Sequence, residues 1–174
     1  MADYTDEDLF EAFAKLPEYY IEIGVVSGDT ERDEDEDDKK KKKKTTHKEK
    51  VMLTNAEIMF INEYGSPLGD DKWRIPPRPV LQMTIDWANK ELLEKTIDRA
   101  IDAFIASDFD EAALEKELKK MCGRMESYAR KLIMSNDGRL PGNAESTIKR
   151  KGFDHPLFQT GQLTKAITCH LVKI

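Results

Sequence analysis

Apolar and polar positions along the chain change period several times, and each change predicts an element. Between residues 5 and 16, Leu9, Phe10, Phe13 and Leu16 recur at helical spacing behind Thr5, a capping residue, and Asp6, Glu7 and Asp8 suit the positive end of a helix dipole. Pro17 ends that helix. From Tyr19 to Val26 the period falls to two, with Tyr19, Ile21, Ile23 and Val25 alternating against Tyr20, Glu22, Gly24 and Val26 as in a strand. Residues 54 to 63 return to helical spacing, with Thr54 or Asn55 as cap and Gly65 as the stop.

The stretch from 65 to 79 reads as a loop, because Gly65, Pro67, Gly69, Pro76, Pro77 and Pro79 break helices and central strands alike. It should hold Trp73, Arg74, Ile75 and Arg78 on a stiff, extended backbone. Two long amphipathic helices follow. Leu81, Ile85, Ala88, Leu92, Ile97, Ile101, Phe104 and Ile105 line the first; Leu114, Leu118, Met121, Met125, Tyr128, Leu132 and Ile133 line the second. The short break at 107 to 110, with Asp108 or Asp110 as cap, makes them an antiparallel hairpin, and pairs such as Glu91 with Lys95 and Glu115 with Lys119 lace the outer faces. A short basic helix at 144 to 151 and a helical turn capped by Thr160 and running through Leu163 and Ala166 lead to a last strand. In it Thr168, His170 and Val172 alternate with Cys169, Leu171 and Lys173. The expected fold is α+β: a small antiparallel sheet of the first and last strands against the long helical hairpin, with short N-terminal and peripheral helices.

Length and charge narrow the function. A chain of 174 residues suits one domain, 1 to 174, with its own core. Its 34 acidic residues outnumber 28 basic ones, for a net charge of -6, which argues against a surface built to grip phosphates. The run from Asp33 to Asp38 followed by Lys39 to Lys44 is nearly free of apolar residues and cannot offset the entropy of ordering, so 30 to 50 is expected to be a disordered, solvated loop. Contact of its lysines with DNA is the competing reading, but the acidic and basic groups there nearly cancel. The apolar runs are too short to span a bilayer, and the acidic N-terminus is unlike a signal peptide; a soluble protein with no membrane partner, made in the cytoplasm, is expected.

Candidate chemistry is sparse. His47 lies in the charged run, His155 precedes a proline and His170 sits in the last strand, so they do not converge in the sequence. No nucleophile elbow, phosphate loop or zinc-type His pair is present, and no catalytic residue, metal or cofactor is expected. Cys122 and Cys169, outside any CxxC motif, read as reduced packing residues. Two features stand above this background as contact surfaces. One is the proline-arginine segment Trp73, Arg74, Ile75, Pro76, Pro77, Arg78 and Pro79; the other is the turn carrying Thr160, Gly161 and Leu163. For the prolines, a rigid lead into the next helix weighs evenly with a contact role.

These segments carry a resemblance. Ala56, Glu57, Ile58, then Asn62, Glu63, Tyr64, Gly65, and then Ile75, Pro76, Pro77, Arg78, Pro79 resemble the small neck and tail-completion proteins of long-tailed bacteriophages, with their Ala-Glu-Ile, Asn-Glu-Phe-Gly and Ile-Pro-x-Arg-Pro-Phe. Ser146, Thr147, Ile148, Lys149, Lys151 and Gly152, then Pro156, Leu157, Thr160, Gly161, Gln162, Leu163 and Ile167, look like the closing Thr-Ile-x-x-Lys-Gly and Pro-Leu-x-x-Thr-Gly-x-Leu of that family. The likeness covers about residues 19–27 and 51–174. Val80 departs from the usual aromatic, and the run 30 to 50 is an insertion.

The resemblance implies a non-enzymatic virion protein of the neck or tail region, assembled in the host cytoplasm. Its partners would be copies of itself in a ring, the adaptor or connector proteins and the tail tube, with DNA only as passing cargo. A tail terminator ring is the alternative within that class; a cytoplasmic regulatory or DNA-processing protein is the alternative outside it.

Overall fold

The computed structural model describes residues 4–25, 53–69 and 72–174, with the side chains of residues 68, 69, 72 and 73 outside that description. The charged run at 30 to 50 lies outside the described residues. In chain order the elements are α1 (Asp6–Ala14), β1 (Tyr19–Val25), α2 (Asn55–Tyr64), β2 (Ser66–Gly69), β3 (Lys72–Ile75), α3 (Val80–Glu91), α4 (Leu93–Ala106), α5 (Glu111–Ser135), α6 (Glu145–Lys151), α7 (Gln162–Ala166) and β4 (Ile167–Lys173). The fold is α+β, with two separate two-stranded sheets, β1 beside β4 and β2 beside β3. Contacts along the chain divide it into two compact units: residues 1–23, 85–125 and 169–174, and residues 24–84 and 126–168.

In the first unit α1 starts on a capping box. The Thr5 hydroxyl accepts from the Asp8 amide at 3.2 Å while the Asp8 carboxylate accepts from the Thr5 amide at 2.9 Å, which satisfies two end donors at once. Ala12, Phe13 and Leu16 then pack with Tyr19, Phe109 and Leu118 around buried Ala100, Phe104 and Leu114. Phe10 does not join the apolar stripe expected of it; it is 78 % exposed. A second cluster joins sheet to hairpin. Ala88, Leu92, Met121, Cys122, Met125 and Cys169 are buried, with Ile21, Ile23, Trp87 and Leu171 packed against them. Phe104 meeting Leu114 and Leu92 meeting Met121 fix the helical pair as antiparallel, and the Ile174 amide donating to the Glu18 carbonyl at 3.0 Å ties the end of β4 to the start of β1. Both cysteines are free and buried.

The hairpin turns at Asp108 and Phe109, both left-handed at φ 61° and 64°. Asp110 then caps α5, its carboxylate accepting from the Ala112 amide at 3.0 Å. Glu115 pairs with Lys119 at 2.6 Å as the spacing predicts, whereas Lys95 reaches the Glu91 carbonyl rather than its carboxylate.

In the second unit Thr54 is the cap of α2, in a reciprocal capping box with Glu57 that draws the Glu57 carboxyl below its ordinary range, first through the Thr54 amide and then through its hydroxyl. Gly65 closes the helix at φ 75°, ψ -178°, a conformation open essentially to glycine alone. The segment from 65 to 79 departs from the loop expected there. It folds back as an antiparallel hairpin, Ser66 opposite Ile75 and Pro67 opposite Trp73, with irregular register. A proline is tolerated because a two-stranded hairpin is all edge, so Pro67 costs no central ladder bond. Residues 76 to 79 belong to neither helix nor strand, and the Val80 amide donates to the Arg78 carbonyl in a tight turn at 2.8 Å.

A buried brace and a carboxylate-free cleft

The resemblance-bearing residues of the second unit form a hub around Arg78. It is only 5 % exposed, and its guanidinium donates to the Pro141 carbonyl at 2.7 Å, the Gly142 carbonyl at 2.8 Å and the Asn62 side-chain oxygen at 2.9 Å. Its own amide donates to the Asn62 carbonyl. The expected outward-facing anchor is therefore an internal brace. Neither carboxylate of α2 pairs with it: Glu57 is held in the capping box with Thr54, and Glu63 is itself buried and accepts from the Leu81 and Gln82 amides at 3.0 and 2.8 Å, capping α3. Because the hydrogen bonds of Arg78 end on neutral oxygens, burial lowers its pKa, with Asp154 opposing.

Around the brace the other expected contact residues separate. Arg74 is exposed, Ile75, Pro76, Pro77 and Pro79 are half-buried, and the Trp73 side chain lies outside the described residues. Thr160 is exposed but does not cap α7: the capping position belongs to Gly161 at φ 78°, with no side-chain cap bond, and Leu163 is buried. Of the family-motif residues, Ala56 is half-buried on α2, which packs against α7.

What sequence spacing could not show is that the two motif stretches meet. Ile58 and Asn62 from α2, Thr147 and Lys151 from α6, and the segment 157 to 163 line one open cleft of about 200 Å³. Its wall is built from strained backbone, since Leu157 is left-handed at φ 60° like Gly161. Behind it, the His155 Nε2–H donates to the Ile133 carbonyl at 2.7 Å and the ring stacks on Phe158, while the Lys151 ammonium donates to the His155 carbonyl at 2.8 Å. Burial, followed by repulsion from Arg150 and Arg78, lowers the Lys151 pKa against a smaller opposing pull from Asp154. Among the described residues, none that lines the cleft carries a carboxylate, in a chain whose acidic residues are in excess.

The first unit carries a different surface. From Ala88 to Phe104 along α3 and α4 every fourth residue is buried: Ala88, Leu92, Thr96, Ala100 and Phe104. Most are small or polar. The larger apolar side chains fall one position later, about 100° round the helix. Ile85, Leu93 and Ile97 are 37, 39 and 43 % exposed, and Ile101 and Ile105 continue the row half-buried. Ile85, Ile97, Ile101 and Ile105, read from the sequence as core, thus form an outward apolar stripe.

No known protein family matches the chain, and neither does any curated protein or solved structure. Among the described residues no group of three or more histidine, cysteine or acidic side chains is placed to hold a metal ion, and no helix is long and apolar enough to cross a membrane.

Proposed function

We propose that the protein is a structural component of the neck of a long-tailed phage, which completes or joins the tail to the DNA-filled head as part of a ring-like connector. The observation that carries the reading is the outward row Ile85, Leu93, Ile97, Ile101 and Ile105. Helices that turn Ile85, Leu93 and Ile97 outward beside a buried row of Ala88, Leu92, Thr96, Ala100 and Phe104 offer an apolar face to a neighbouring subunit. The resemblance says which kind of assembly: its two motif stretches, distant in sequence, build one brace and one cleft within a single unit. A net charge of -6 suits a passage through which DNA must slide without being held.

Mass measurement of the purified protein, alone and after mixing with isolated tails or filled heads, tests this. The protein should associate with itself or bind one of those particles, and the double variant Leu93→Asp, Ile97→Asp should fold normally yet lose that association. A wild-type protein that stays monomeric and binds neither particle would count against the proposal.

A further inference from the structure

We propose that the cleft between α2, α6 and the 157 to 163 segment is a binding site for an acidic, extended polypeptide segment of a partner protein. The inference stands on the cleft alone and does not depend on the proposed place in the neck.

Charge is the first argument. Arg150 and Lys151 line the cleft, the buried guanidinium of Arg78 acts on Lys151, and among the described residues the anion acting on both Arg78 and Lys151 is Asp154. That carboxylate is engaged, accepting from the Asn143 amide and the Asn143 side chain at 3.0 Å each. Lys151 is half-buried beside like charge, its ammonium donating to the His155 carbonyl, so a carboxylate entering the cleft would offset a repulsion already present. Size is the second. About 200 Å³ lies below the roughly 300–1,000 Å³ of a drug-sized ligand pocket, and admits one or two side chains rather than a cofactor or a nucleic-acid duplex. The rim is the third: Thr147 and Thr160 carry hydroxyls able to pair with an extended backbone, and Leu157 and Phe158 supply apolar wall for the intervening side chains.

The test titrates the full-length protein with a labelled hexapeptide of Asp and Glu, and with the same peptide carrying Asn and Gln instead, while following the side-chain amide signals of Asn143 and Gln159 by NMR. The acidic peptide should bind and move those signals, the neutral one should bind at least about tenfold more weakly, and added salt should weaken the acidic one. Arg150→Gln, an exposed substitution, should reduce binding by about tenfold, and Lys151→Met should do the same wherever its melting curve shows it folded. Equal affinity for the two peptides, unmoved amide signals, or binding indifferent to Arg150→Gln, as expected if the peptide sat on Lys39 to Lys44, would each overturn the assignment. So would displacement of the peptide by a short DNA duplex at lower concentration, which would make phosphate the preferred ligand.

Discussion

Arg78 decides much of the second unit. Truncation would remove three charge-assisted hydrogen bonds, to the Pro141 and Gly142 carbonyls and to Asn62, together with a buried side chain. Arg78→Ala should therefore cost about 3 kcal/mol, a fall in melting temperature of roughly 6–12 °C for a domain of this size, measured by calorimetry. An unchanged melting curve would refute the brace. This role was only half legible in the sequence. The Ile-Pro-Pro-Arg-Pro pattern marks the residue, but two of its partners are backbone carbonyls, which any residue at 141 or 142 would supply. A second residue-scale test concerns Glu111, which accepts from Lys173 and Tyr19 and whose carboxyl is lowered, chiefly by Lys173 and then by Tyr19. A depressed acid stabilises the fold above the ordinary carboxylate range, and that contribution disappears as pH falls through the lowered value. Denaturant titrations of wild type and Glu111→Gln should therefore differ at neutral pH and converge in strong acid; a constant difference would show that charge is not the cause.

At the scale of elements, the sequence located most boundaries because caps and breakers act locally. Thr5 caps its helix as expected and Thr54, rather than Asn55, caps the next, each in a capping box, and β1 follows its alternation. The turn before α7 was misread for a reason that is also local: Gly161, free to adopt φ 78°, occupies the capping position and leaves Thr160 one place too early. Thr54→Ala should cost about 1 kcal/mol through the lost cap, Thr160→Ala almost nothing, and Gly161→Ala about 1 kcal/mol or more from the left-handed backbone. Thermal denaturation of the three variants checks the order, and a Thr160 variant as damaged as the Thr54 variant would contradict it. The helical hairpin shows where pattern reading fails. Apolar size points to Ile85, Ile97, Ile101 and Ile105 as core, yet the buried positions are Ala88, in the cluster beside the sheet, Ala100, in the cluster beside α1, and Thr96. Period alone cannot separate two adjacent stripes when the outer one is also apolar.

At the scale of the whole molecule, the proposed joining role rests on the outward apolar stripe, and the proposed peptide site on the cleft. The cleft was hidden in the sequence because Asn62, Thr147 and Thr160 converge only once α2, α6 and α7 are folded together, whereas the motifs that form it were visible as separate stretches. The central claim is that this chain joins head to tail. Heads and tails purified from an infection in which its gene is disrupted should remain apart, and adding the purified protein should restore joined particles counted by electron microscopy in proportion to the amount added. The Leu93→Asp, Ile97→Asp variant should not restore them. Particles that join equally well without the protein would contradict the account.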